Sequence, residues 1–195
     1  MNFIKNVLAV FGVVLLLIIA LAGPRVWEIQ SRFAEFDPKA MDTYIAMFNK
    51  ILETGNAAEA TVWKAKVEDG QSFEEVDVTI RMVANELNIK NVGELPLYKQ
   101  VESMSGKPYR KVKIYMFCNA MTASRMLDYT DAFSAYLPCR ITLIEDKQGQ
   151  LWLYTLNMDP MIYGGLPLPP ALKEESIGVK KIMLDVLRRG ASGDF

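Results

Sequence analysis

An uninterrupted apolar run near the N-terminus constrains this chain more than any other feature. From Val7 to Ala22 the sequence carries no charged residue. With Phe3 and Ile4 in front, the run is about long enough to cross the ~30 Å hydrocarbon core of a bilayer as a helix. The run therefore predicts a transmembrane anchor over residues 1–24.

A cleaved secretory signal is the alternative interpretation of this run. Ala20, Leu21 and Ala22 have the small-x-small form that signal peptidase accepts, and Lys5 supplies a short positively charged region in front of them. The apolar part of a signal peptide usually spans ~7–15 residues, which this run exceeds. Its Leu, Ile and Val residues each favour insertion by roughly 0.3–0.6 kcal/mol at the helix centre. We therefore expect the segment to be retained as an anchor.

The basic residues that flank the anchor do not decide its orientation. Lys5 and the α-amino group precede the run, whereas Arg25 and Arg32 follow it. We expect the N-terminus in the cytoplasm and the C-terminal domain outside, with Trp27 at the outer membrane interface. The residues of this helix expected to contact a partner are Val7, Leu15, Leu16 and Trp27.

Residues 25–56 are predicted to form a stalk and a membrane-proximal amphipathic helix. Apolar residues recur at helical spacing after the anchor, so the membrane helix is expected to continue past the bilayer. Asp37 and Pro38 are typical of the start of a helix, and Gly55 is typical of the end of one. The apolar stripe between them comprises Met41, Tyr44, Ile45, Phe48, Ile51 and Leu52. We expect this stripe to pack on the protein's own domain, with docking onto a partner as the alternative.

The remaining composition predicts one further domain, at residues 57–195, and excludes several kinds of function. The net charge is −1 and the basic residues form only short pairs such as Arg188 and Arg189. Phosphate binding needs a concentrated basic surface, so nucleic acid is not an expected partner. The chain contains no histidine, which excludes Ser-His-Asp and Cys-His catalysis and zinc or haem held by imidazole. We expect a non-catalytic protein without a cofactor.

Alternation and turn signals predict a mixed fold in the domain. Strands are predicted at residues 61–67, 92–101, 109–117, 141–145 and 151–156. Ser72 and Glu75 form a capping box that predicts a helix to about Leu87, and further helices are expected over 119–127 and from Pro170 onwards. The order is a helix followed by β-α-β-β-(α)-β-β-α. This pattern indicates an α+β domain with a mostly antiparallel sheet backed by helices on one face.

Two short motifs carry a family resemblance. Cys118-Asn119 and, about twenty residues on, Leu137-Pro138-Cys139 precede two strands joined by an acidic-Lys-x-Gly turn. This arrangement resembles the bacterial domain of unknown function 302 family over roughly Ala60 to Gly190, although Ala120 replaces the family's proline after Asn119. The resemblance implies an α+β domain like that of the TATA-binding protein and a tendency to form homodimers. It implies no activity. In a bacterial protein, the predicted anchor and its orientation place the chain in the inner membrane with its C-terminal domain in the periplasm.

The sulfur-containing residues leave several roles open. Cys118 and Cys139 are candidates for a disulfide, for a redox thiol pair or for metal binding. Met158 and Met161 flank Asp159 and Pro160, and thiolate and thioether ligands without imidazole suit Cu(I) better than zinc or magnesium. A structural role is the alternative, because Met is a common core residue.

The glycine- and proline-rich segment Met161–Pro170 is predicted to be a recognition or closing loop. Glycines permit tight turns, and exposed aliphatic residues can meet a partner. Its candidate contact residues are Ile162, Tyr163 and Leu166.

Together these features favour a membrane-anchored accessory or assembly subunit of an integral-membrane complex, with respiratory and sulfur-oxidation complexes as candidates. The alternatives are a periplasmic module that binds a small ligand, copper or haem, and a thiol redox protein that uses Cys118 and Cys139.

Overall fold

A long N-terminal helix precedes the folded domain in the computed structural model, which describes residues 2–194 without the side chains at 2, 3, 8, 9 and 18. Met1 of the predicted anchor and Phe195 of the predicted domain lie outside the described residues. Helix α1 runs from Asn2 to Ala34 and so passes without interruption through the predicted stalk. By length and composition, its segment Ile4–Ala34 can cross a membrane, and its most apolar window is not buried against the rest of the protein.

Helix α2 (Ala40–Thr54) follows α1 after residues 35–39 and ends, as predicted, at Gly55, which has a φ of 65°. Ala40 and Thr43 are buried against the domain. The apolar stripe of α2 is exposed at all six of its large side chains, although the Tyr44 hydroxyl reaches the domain and donates a hydrogen bond to the Gly164 carbonyl. The expectation that the stripe packs on the protein's own domain is therefore wrong, because the helix makes that contact through a different face and through Tyr44 alone of the six.

The domain is built on a five-stranded antiparallel sheet with the strand order β1-β5-β4-β3-β2. The α+β prediction is thus confirmed. The strands are β1 (Val62–Lys66), β2 (Lys90–Leu95), β3 (Val112–Cys118), β4 (Cys139–Glu145) and β5 (Leu151–Leu156). The helices and turns between them are α3 (Ala57–Ala60), α4 (Phe73–Glu86), α5 (Leu97–Ser105), α6 (Ala120–Tyr129), a 3-10 helix (Asp131–Tyr136), α7 (Asp159–Tyr163) and α8 (Pro170–Ser192).

Helices α4 and α8 pack on one face of the sheet and form the core. The capping box of Ser72 and Glu75 opens α4 as predicted. The inner faces of the two helices are buried, at Val76, Ile80 and Val83 in α4 and at Leu172, Val179, Met183 and Val186 in α8. Helix α8 comes so close to its neighbours at Gly190 that an added Cβ would lie 2.9 Å from Leu153 Cδ1 of β5 and 3.1 Å from Ile80 Cγ1 of α4.

One predicted strand is shorter than expected. Residues 92–101 were expected to be extended, but β2 ends at Leu95 and Leu97 begins α5. Pro96 cannot donate to a strand ladder, and its fixed φ suits a residue at the start of a helix. Helix α5 ends at Gly106, whose φ of 66° is a conformation that glycine adopts without strain.

Candidate functional site

A small cavity lies at the end of the sheet where both halves of the family motif meet. It encloses about 40 Å³ and is lined by Phe117, Cys118, Asn119, Thr122, Ala123, Met126, Phe133, Tyr136, Leu137, Cys139, Met158, Met161, Ser176 and Val179. The four sulfur-containing residues singled out from the sequence all contribute to this lining. The volume is enough for a few water molecules or an ion, but a haem does not fit.

The local structure explains why the two motif halves meet. Cys118 ends β3, and Asn119 is the N-cap of α6, with its side chain accepting a hydrogen bond from the backbone N–H of Thr122 at 3.2 Å. Ala120 is the first residue of α6, the position where proline is favoured in helices. Leu137 and Pro138, joined by a cis peptide bond, lead from the 3-10 helix into Cys139 at the start of β4.

The strand register separates the two cysteines by one position. Cys139 pairs with Phe117, so Cys118 is the next residue along β3. Neighbouring side chains in a strand point to opposite faces of the sheet, which does not suit a disulfide. In the structure both cysteines are free thiols.

Met158 and Met161 reach the cavity from the turn that begins α7. Residues three apart on a helical turn share a face, which places both thioethers on the same side of this segment. A second, adjoining cavity of about 20 Å³ is lined by Tyr136, Cys139, Arg140, Thr155, Leu156, Met158 and Met161. Cys139, Met158 and Met161 therefore lie between the two cavities. Met126, one of the methionines that follow Cys118 in the sequence, also lines the larger cavity. Sequence reasoning missed Ser176, whose Oγ lies 3.3 Å from Met126 Sδ, although its place on α8 follows from helical spacing.

Burial raises the pKa of the Cys139 thiol to about 11, with a further contribution from the neighbouring Cys118. At neutral pH this thiol is protonated and therefore a weak nucleophile. That property does not suit a thiol redox protein in which Cys139 attacks a substrate.

We expect Cys139 to react at least about tenfold more slowly with a thiol reagent in the folded than in the unfolded chain, because burial is the main cause that raises its pKa from 9.0 to about 11. The Cys118→Ser variant isolates this thiol, and the colour released from an aromatic disulfide reagent at pH 8 gives the rate with and without denaturant. Equal rates in the two states would show that Cys139 is accessible and ionised, as a redox thiol requires.

The predicted recognition loop contacts the protein itself. Ile162 and Tyr163 are only 1% and 7% exposed, whereas Leu166 is 55% exposed. The expectation that Ile162 and Tyr163 contact a partner is therefore wrong, because α7 turns both side chains into the core.

The same loop also anchors the segment that begins α2. The Gly164 carbonyl accepts a hydrogen bond from the Tyr44 hydroxyl, and the Gly165 carbonyl accepts one from the Asp37 backbone N–H at 2.8 Å. Asp37 is buried and pairs with Lys173 at the start of α8. The loop thus holds α2 on the domain, and Leu166 remains as its one predicted contact residue still exposed.

A charged network that sequence reasoning missed lies at the other end of β3. Lys113 Nζ is 2.6 Å from both Asp77 Oδ1 of α4 and Glu94 Oε2 of β2, and the Tyr115 hydroxyl donates to Asp77 Oδ1. Lys113 and Tyr115 share the inward face of β3, a placement that the period of two along a strand could have indicated. Burial alone would raise the pKa of Asp77, but the hydrogen bonds from Lys113 and Tyr115 outweigh it and lower that pKa below its usual value.

Comparison with known proteins matches the domain to a family but indicates no activity. A family model described as "Domain of unknown function DUF302" matches residues 63–189. An uncharacterised protein of Aquifex aeolicus is 27% identical over 108 residues, which are 55% of this chain and 68% of that protein. The crystal structure of an uncharacterised conserved DUF302 protein from Bacillus stearothermophilus superposes with a TM-score of 0.55 at 16% identity, covering 66% of this chain and 97% of that one. Helices α1, α2 and α3 precede the residues that the family model matches.

Proposed function

This chain belongs to the DUF302 family, a domain of unknown function, and we propose that it is a membrane-anchored, non-catalytic accessory or assembly subunit of an integral-membrane complex. Helix α1 holds it in the bacterial inner membrane as a single span, with the domain in the periplasm. The exposed stripe of α2 binds the partner next to the membrane. The exposed apolar side chains of α1 and α2 are the observation that supports this function.

The position of α2 supports a contact close to the membrane. Only residues 35–39 separate it from α1, and the pairing of Asp37 with Lys173 fixes that connection to the domain. Met41, Ile45, Phe48 and Leu52 recur at steps of four, three and four residues and are all exposed. This spacing is that of a helix that packs lengthwise against another helix.

The charge of α2 favours a protein over a lipid surface as the occupant of the stripe. Helices that lie on membranes are rich in Lys and Arg on their polar face. Helix α2 carries Lys50 against Asp42 and Glu53, so anionic lipids do not attract it. We therefore assign the stripe to a helix of an integral-membrane partner, which also contacts Val7, Leu15, Leu16 and Trp27 of α1 and Leu166 of the loop.

Site-specific photo-crosslinking in the source bacterium tests this assignment. A photoreactive residue at Phe48, in the middle of the stripe, is expected to form an adduct with a protein that stays in membranes after a carbonate wash. Met104 of α5 is a matched control, because it is 90% exposed but lies outside the stripe. Adducts only between copies of this chain would assign the stripe to a homodimer, and no protein adduct would assign it to lipid. Either result would refute the proposal.

Substituting the stripe provides the complementary measurement. In a mild detergent, the wild-type chain is expected to migrate with a large complex on native gels, and Ile45→Ser with Phe48→Ser is expected to shift it to a free form. Met104→Ser is expected to leave the complex intact. Migration of the wild type as a monomer or homodimer would contradict an accessory role.

A further inference from the structure

We propose that the sulfur-lined cavity at the end of the sheet is a Cu(I) site, with Cys139, Met158 and Met161 as its ligands. This inference is independent of the accessory role proposed above, since the cavity lies in the DUF302 domain and not on the exposed surface of α1 and α2. It rests on the side chains that the fold brings together there.

Three sulfur side chains from two separate segments converge on this point. Cys139 begins β4, whereas Met158 and Met161 belong to the turn that starts α7 after β5. All three border both adjoining cavities, so they lie between the two. Met126 also lines the larger cavity, and it is buried.

The chemistry of this set favours Cu(I) over other metals. Thiolate and thioether are soft ligands that select Cu(I), whereas magnesium and calcium need oxygen ligands. Zinc sites in proteins use Cys, His and carboxylate ligands, and the described part of the chain contains no group of three or more such residues. The chain has no imidazole that could draw the metal to another type of site.

The surroundings of the three ligands suit a monovalent ion. The cavity wall is mainly apolar, with Phe117, Phe133 and Val179 beside the sulfur atoms, and such a wall limits the access of water and oxidants to the metal. When Cu(I) binds, the Cys139 thiol loses its proton and the sulfur forms a bond to copper. The released proton carries away one positive charge, which balances the charge of the incoming Cu(I). No change of oxidation state is involved.

An anaerobic titration of the reduced full-length protein in detergent, with a coloured Cu(I) chelator as competitor, tests the site. We expect the wild-type chain to remove one Cu(I) per molecule from the chelator. Met158→Leu with Met161→Leu, a change that nearly preserves volume, is expected to lower the affinity by about tenfold or more, as is Cys139→Ser. Met104→Leu, at an exposed methionine outside the cavity, is expected to bind as the wild type does.

Two further measurements keep the result independent of folding defects. Circular dichroism compares the thermal unfolding of each variant with that of the wild type, and X-ray absorption of the wild-type complex reports the ligand atoms directly. A shell of sulfur atoms alone is expected. Failure of the wild type to take Cu(I) from the chelator, undiminished binding by the methionine variant, or a shell containing nitrogen or oxygen would each overturn the proposal.

Discussion

The double substitution Leu15→Arg, Leu16→Arg is expected to prevent stable insertion of the chain into the membrane. Both residues lie near the middle of the apolar run and are exposed along α1. Exchanging Leu for Arg at a helix centre costs about 3–4 kcal/mol on the insertion scale, so the two changes together cost about 7 kcal/mol. A few apolar residues elsewhere in the helix cannot offset this penalty, because each favours insertion by only roughly 0.3–0.6 kcal/mol. The protein should leave carbonate-washed membranes and appear in the soluble fraction or be degraded.

Ile29→Arg is the matched control, because Ile29 is exposed on the same helix but lies beyond Pro24, in the predicted stalk. This variant should stay in the membrane fraction. The mass of the wild-type protein completes the experiment, since a retained anchor leaves the N-terminal residues in place. A mature chain that begins after Ala22, or retention of the double variant in washed membranes, would show that α1 is not the anchor.

Asp77→Ala is expected to destabilise the domain by about 1–3 kcal/mol, the range for leaving a buried hydrogen-bonding group without its partner. Its side chain is 18% exposed and that of its partner Lys113 is 12% exposed. The substitution removes the acceptor of the Tyr115 hydroxyl and leaves Lys113 with Glu94 alone. Urea unfolding in detergent, followed by circular dichroism, measures the change in the free energy of unfolding.

The exposed pair of Asp185 and Arg188 provides the control for this measurement. Its side chains are 35% and 65% exposed, and exposed pairs contribute about 0.2–1 kcal/mol, so Asp185→Ala should have a small effect. Equal effects of the two substitutions would show that the Asp77 network lies in a solvent-like environment.

The same network makes stability depend on pH in the acid range. The pKa of Asp77 is lowered from 3.8 by its partners, so the folded chain binds this proton more weakly than the unfolded chain does. The stability is therefore fully present above pH 3.8 and falls as the pH drops through the lower pKa of the folded state. This acid-induced loss should be smaller in Asp77→Ala, which no longer carries the group.

Local sequence signals predicted the architecture of the domain well, because most of its elements are determined by patterns within a few residues. The capping box at Ser72 and the stop at Gly55 are satisfied by backbone groups of their own helices. The alternation in β3, β4 and β5 follows from the burial of one sheet face. Pro96 was the exception, since proline is compatible with the end of a strand and with the start of a helix, and only the helix that follows distinguishes them.

The site was predicted residue by residue but not as an arrangement. Cys139, Met158 and Met161 were each named from the sequence, yet their common position depends on how β4, β5 and α7 pack, which no local pattern specifies. Ile162 and Tyr163 were taken for exposed contact residues because the surrounding glycines and prolines indicate a surface loop. The short helix α7 buries both side chains, and its five residues are too few to show a helical period.

The attachment of α2 to the glycine-rich loop has a mechanical consequence. Because Asp37 and Tyr44 bind the backbone just after α7, α2 is braced against the domain at its start and does not move as a free arm. That brace ends next to the segment that carries Met158 and Met161. The exposed stripe of α2 and the sulfur-lined cavity are therefore held in a fixed relation to each other by the fold of the protein itself.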